Sequence, residues 1–101
     1  MGKWADFCIY AKRMNSKGTH IDSVKAFPDR GDNFGSEVVK SRANVVQDLK
    51  IGVTYMTIFK SAENKWQMGQ KVVIDRVNGV DYIKTLPDKL EADNLDKLPD
   101  F

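Results

Sequence analysis

A chain of 101 residues that is 42 % hydrophobic and 30 % charged has apolar surface for one core and not for two, so it reads as a single domain spanning 1–101. A net charge of +2 is too small to argue for nucleic acid by itself, and no apolar stretch approaches the roughly 20 residues that cross a bilayer. The first residues, Met1-Gly2-Lys3-Trp4-Ala5-Asp6, lack the apolar centre of a signal peptide, so a cytoplasmic location with no membrane attachment is expected.

The first run, Trp4 to Met14, alternates as a half-buried strand. Ala5, Phe7, Ile9 and Ala11 fall on one face and Asp6, Cys8, Tyr10 and Lys12 on the other. Asn15-Ser16-Lys17-Gly18 has turn chemistry, and His20 to Phe27 reads as the partner strand of a first hairpin. The stretch from Pro28 to Ser36 holds one Pro, two Gly, a Ser and three Asp or Asn residues, and is the clearest loop of the chain.

After the short run Glu37 to Lys40, Ser41 is placed to cap a helix through Asn44. Ala43, Val45, Val46 and Leu49 form its apolar stripe, and Gly52 is placed to end it. Asn44, Gln47, Asp48 and Lys50 are expected to face solvent. Val53 to Lys60 reads as a strand with apolar groups on both faces, followed by the turn Ser61 to Lys65 and by Trp66.

The runs Val72 to Val77 and Val80 to Thr85 flank Asn78-Gly79, the sequence signature of a two-residue hairpin with positive φ at both central positions. That turn sets Val77 opposite Val80, Arg76 opposite Asp81, Asp75 opposite Tyr82 and Ile74 opposite Ile83. Both faces of this hairpin are then partly apolar and need cover. The expected fold is α+β: two hairpins and a central strand in a curved antiparallel sheet, compatible with an SH3-like open barrel, with one helix packed on it.

Charge divides along the chain. Residues 1–85 carry 14 Lys and Arg against 9 Asp and Glu, whereas 86–101 carry Lys89 and Lys97 against Asp88, Glu91, Asp93, Asp96 and Asp100. A basic body with an acidic tail fits a partner-binding face, or a tail folded back on its own domain.

No catalytic, cofactor-binding or metal-ligating set stands out. Cys8 and His20 are the only residues of their kinds, too few for structural zinc, and they could act together only if the fold joined them. Gly31 and Gly35 are not followed by the Lys-Ser/Thr of a phosphate loop, and Asp29, Asp32 and Asn33 lack the downstream Glu of a calcium loop. The best candidate surface is basic and aromatic: Lys65, Trp66, Lys71, Arg76, Tyr82 and Lys84. Small β domains bind single strands with such side chains, although the same residues also suit a core rim and a solvated face.

The order Ser41-Arg42, Val45-Val46, Gly52 with Tyr55, Trp66, Val77-Asn78-Gly79-Val80-Asp81-Tyr82-Ile83-Lys84-Thr85, then Asp93-Asn94-Leu95 and Leu98-Pro99 resembles the small bacterial domain of unknown function family 3892. The resemblance covers residues 36–101, with 1–35 as an N-terminal hairpin and loop. Lys84 stands where Arg is more usual. The family implies a small α+β domain and no established activity.

The expected function is therefore that of an uncharacterised binding or interaction module with a protein partner, self-associating through an open strand edge. The alternative is single-stranded nucleic-acid binding through a basic-aromatic sheet face. A second alternative, a small nucleotide-binding protein or enzyme, hangs on His20 and the Asp-rich loop. Asp93, Asn94, Leu95 and Leu98 are expected to anchor the tail beside the last hairpin.

Overall fold

The computed structural model describes residues 5–18, 20–31, 33–85 and 98–101. Its elements run β1 (Phe7–Met14), β2 (Ile21–Pro28), β3 (Val38–Ser41), α1 (Arg42–Lys50), β4 (Tyr55–Lys60), β5 (Trp66–Val77) and β6 (Val80–Thr85). The six strands form one sheet in the order β3-β2-β1-β4-β5-β6. The α+β class holds, but the sheet is mixed and not antiparallel throughout. Phe7, Cys8 and Ile9 pair in parallel with Tyr55, Met56 and Thr57, while every other ladder is antiparallel.

The parallel pair follows from connectivity. β4 returns beside β1 only after β2, β3 and α1, a long crossover of the kind parallel neighbours require. Asp6 and Thr54 fix its start reciprocally: Asp6 N donates to Thr54 Oγ1 and Thr54 N to Asp6 Oδ2, each at 2.9 Å. An SH3-like closure is not what forms, since β3 and β6 are the two edges and no ladder joins them among the described residues. The sheet nevertheless curls strongly. The ring of His20, just before β2, lies 5.0 Å from that of Tyr82 on β6, although three strands separate β2 from β6 in the sheet.

Both hairpins form at the expected turns. Gly18 has φ +68°, and Asn78 and Gly79 have φ of 51° and 79°. The β5–β6 register matches expectation at each of its four predicted pairs. β5 begins at Trp66, however, six residues before Val72, because pairing with β4 recruits the polar stretch Gln67 to Lys71 that carries no strand signal of its own. Gly69 in that stretch lies against β4. A Cβ built there would fall 2.8 Å from the Thr57 carbonyl oxygen and inside the contact distance of its Oγ1.

α1 forms as the sequence expects, with Asn44 N donating to Ser41 Oγ at 3.2 Å and Gly52 at φ +95° beyond its end. Val45 and Val46 are its buried residues, and they enter the core with Ile9, Ile21, Val24, Ala26, Tyr55, Val72, Ile83 and Leu98. Burial of each valine stabilises the docked helix by about 1.5 to 3 kcal/mol, which offsets the weak helix propensity of β-branched residues. Asp48 departs from expectation: it does not simply face solvent but accepts a hydrogen bond from the buried Tyr55 hydroxyl.

Strict alternation in β1 holds to Ile9 and breaks at Tyr10, where the register steps from Ile9↔Ala26 to Ala11↔Lys25. This bulge places one extra residue on the outer face. Lys12 then pairs with the core residue Val24 and is only 7 % exposed, while Ala11 shares the face of Lys25. The expected grouping of Ala11 with Phe7 and Ile9 is thereby reversed. β4 leaves β1 after Thr57, and the last described residues take its place: Lys12 N donates to the Pro99 carbonyl at 2.8 Å and Phe101 N to the Lys12 carbonyl at 3.0 Å. Leu98 is buried, so this part of the tail docks, against β1 as well as into the core. The other expected anchors, Asp93, Asn94 and Leu95, lie outside the described residues.

Candidate functional site on the outer sheet face

The sheet has one face under α1 and one facing away. Ile9, Val24 and Ala26 meet the helix, so the residues that alternate with them, Cys8, Tyr10, Lys25 and Phe27, belong to the outer face. There, Tyr10 and Phe27 stack at 4.7 Å between centroids, and Phe27 stacks on Phe34 at 5.6 Å. Trp66 arrives from the start of β5 and packs edge-on to Tyr10 at 5.8 Å and to Phe27 at 5.9 Å. All four rings are half-buried. Cys8, paired with Phe27, and Ile58, on the Trp66 side of β4, are fully buried and support the cluster. Offset and edge-on ring pairs of this kind add about 0.5 to 1.5 kcal/mol each beyond area burial.

One of these rings has a cation over it, and the Phe101 ring is held by two more. Lys60 Nζ lies 5.1 Å from the Trp66 ring centroid. Arg13 and Lys25 hold the Phe101 ring between them at 4.5 and 5.1 Å, and the Arg30 guanidinium lies against Gly35, next to Phe34. Two carboxylates offset them in part. Glu37 accepts from the Tyr10 hydroxyl and lies 3.6 Å from Lys25 Nζ, and Asp29 is buried beside Cys8, whose Sγ is 3.7 Å from its Oδ2. Burial, followed by the Asp29 charge and hydrogen bond, pushes the Cys8 thiol up to about 12. Cys8 is thus a packed neutral thiol, the form least suited to nucleophilic work.

Of the six residues the sequence singled out, Lys65 and Trp66 sit at this end of β5 and Lys71 midway along it. Arg76, Tyr82 and Lys84 belong to the far end. Arg76 faces Asp81 at 3.5 Å, Lys84 faces Asp75 at 3.6 Å, and Tyr82 contacts His20 and Arg42. Asp81 also pairs with Lys50 of α1 at 2.9 Å, and the Lys50 hydrogen bond holds its carboxyl below the usual range. Some nine residues of strand separate Trp66 from the partner of Tyr82, about 30 Å of backbone path. The six therefore form two groups and not one patch.

Tyr10, Phe27 and Phe34, which complete the cluster around Trp66, were not picked out by the sequence. The signal available for them was the outward aromatic on each strand of the first hairpin. The enzyme hooks are kept apart: His20 precedes β2 and Asp29 follows it, so about 26 Å of strand lies between them. Cys8 pairs with Phe27 at the Asp29 end, equally remote from His20. Among the described residues no group of three or more His, Cys, Asp or Glu side chains is gathered as a metal would need, and no helix is long and apolar enough to cross a membrane.

Fold and face together define a small α+β domain whose sheet is covered by one helix on one side and carries an aromatic cluster on the other. The chain belongs to the family described as Protein of unknown function (DUF3892), whose model matches residues 8–99. The match begins in β1, so it takes in the first hairpin together with the stretch from residue 36 onward. No curated protein and no solved structure matches the chain.

Proposed function

We propose that this protein is a binding module that takes single-stranded nucleic acid on the outer sheet face. The observation that carries the reading is the meeting of Tyr10, Phe27, Phe34 and Trp66 on one half-exposed surface, with Lys60 over the Trp66 ring and Lys25 beside the Glu37 carboxylate that the Tyr10 hydroxyl reaches. Bases stack on aromatic side chains with about 1 to 3 kcal/mol each and little sequence preference, while Lys and Arg neutralise the backbone. The surplus of basic residues in 1–85 supports the same polarity of ligand.

Fluorescence anisotropy of a labelled single-stranded oligonucleotide, titrated at low and at physiological salt, tests this reading. Binding at low salt that weakens as salt rises is expected, with Trp66→Ala reducing affinity about tenfold or more. Absence of binding at low salt, or binding indifferent to salt, overturns it. A protein partner on the same face is the second reading, favoured by Met68 and Val39, which stay 52 % and 58 % exposed. Apolar contacts of that kind give affinities that salt leaves nearly unchanged.

A further inference from the structure

Stacking on Tyr10, Phe27, Phe34 and Trp66 does not choose between bases, because every base has a π-face. A hydrogen-bonding group at the rim of the rings does choose, and the Glu37 carboxylate stands there. Val38, the first residue of β3, pairs with Ala26, so Glu37 continues that register beside Phe27 at the edge of the sheet. One of its oxygens accepts from the Tyr10 hydroxyl, and the other lies 3.6 Å from Lys25 Nζ, so the protein holds the group at both oxygens. The side chain is still 42 % exposed, which leaves acceptor capacity beyond the Tyr10 bond within reach of a ligand.

Charge differs between the two sides of the cluster. Lys60 of β4 lies over Trp66, whereas Glu37 precedes β3, with β2 and β1 between the two strands. A carboxylate repels phosphate and accepts from N–H donors, so a strand crossing the rings keeps its backbone toward Lys60 and turns a base edge to Glu37. The chemistry of that edge then selects. Guanine offers adjacent donors, N1–H and the N2 amine, which match the two oxygens of one carboxylate. Adenine and cytosine set a ring-nitrogen acceptor beside their amine, and thymine and uracil set N3–H between carbonyls, so each brings a lone pair against Glu37. We propose, on the footing of the single-strand reading above, that Glu37 makes this face select guanine by accepting from N1–H and the N2 amine of a base stacked on the rings.

Anisotropy titrations at low salt test the selection with oligothymidylate and with the same strand carrying one central guanine or one central hypoxanthine. Hypoxanthine keeps the purine ring and N1–H and lacks the N2 amine, so it separates hydrogen bonding from stacking. The guanine strand should bind about tenfold tighter than oligothymidylate and about fivefold tighter than the hypoxanthine strand. Glu37→Gln keeps an acceptor for the Tyr10 hydroxyl and removes the charge. It should bring the guanine and hypoxanthine strands to within about twofold of each other without weakening oligothymidylate, since the lost charge was repelling phosphate. A wild type that binds all three strands equally overturns the guanine selection and leaves the single-strand reading standing. A guanine preference that survives Glu37→Gln overturns the assignment to Glu37 equally. Absence of binding to every strand at low salt overturns both.

Discussion

The Tyr55 hydroxyl donates to Asp48 Oδ2 at 2.5 Å, joining a fully buried ring at the start of β4 to the last turn of α1. Asp48 also lies 3.8 Å from Lys40 Nζ on β3, so one carboxylate ties three elements together. Burial and then the Asp48 bond push the Tyr55 hydroxyl well above the ordinary tyrosine range. Hydrogen bonds to charged groups contribute about 1.5 to 3 kcal/mol, and Tyr55→Phe keeps the ring that stacks on Phe7 at 5.1 Å. The variant should lose about 1 to 2 kcal/mol in urea unfolding, read as a lower midpoint with an unchanged slope.

Cys8 sets an alkaline limit on stability. Its folded pKa is raised from 9.0 to about 12, so its contribution is complete below 9 and is lost as pH climbs toward 12, where the unfolded thiol ionises first. Across that window the wild type should lose up to about 1.4 kcal/mol per pH unit more than Cys8→Ala, which has no thiol to ionise. Denaturation midpoints of both proteins at several pH values between 8 and 11 check the divergence.

The elements legible in the sequence were those whose geometry is set locally. Asn78-Gly79 dictates its own turn and register, and Ser41 and Gly52 mark the ends of α1 within a few residues of chain. The parallel β1–β4 pair was not legible, because the residues it joins lie 48 positions apart and neither strand's pattern states its partner or direction. The bulge at Tyr10 was hidden for a related reason: one extra residue leaves the apolar count of β1 unchanged while exchanging the faces of Ala11 and Lys12. The aromatic cluster inherits both gaps, since Trp66 meets Tyr10 only across the parallel seam and past the bulge.

Gly69 marks a place where β5 leaves no room for a side chain against β4. Its own neighbours give no turn signal, and the constraint lies across the ladder, where a Cβ would press on the Thr57 backbone. Backbone cannot rotate aside as a side-chain end can, so Gly69→Ala should cost about 2 to 3 kcal/mol despite the higher intrinsic strand and helix stability of alanine. Thermal melting and amide exchange should show the loss, with protection falling first in β4 and β5. An unchanged melting temperature would mean that the Met56/Ile58 irregularity relaxes to make room.

Lys60 separates binding from folding on the outer face. Its ammonium lies over the Trp66 ring, its side chain is exposed, and no described residue forms a salt bridge to it among those resolved at ion-pair distance. Lys60→Ala should therefore shift the melting temperature by no more than about 2 to 4 °C, since surface changes of this kind stay within about ±0.5 kcal/mol and a domain of this size shifts by roughly 4 to 8 °C per kcal/mol. If a single strand lies across the rings, removing one cation should lower the slope of log affinity against log salt by about 0.7, the counterion release of one phosphate. Trp66→Ala should act on the other part of binding, weakening affinity at every salt concentration with the slope nearly kept. Titrations of the three proteins at four salt concentrations distinguish the two effects; a single common slope with unchanged affinities places the ligand elsewhere.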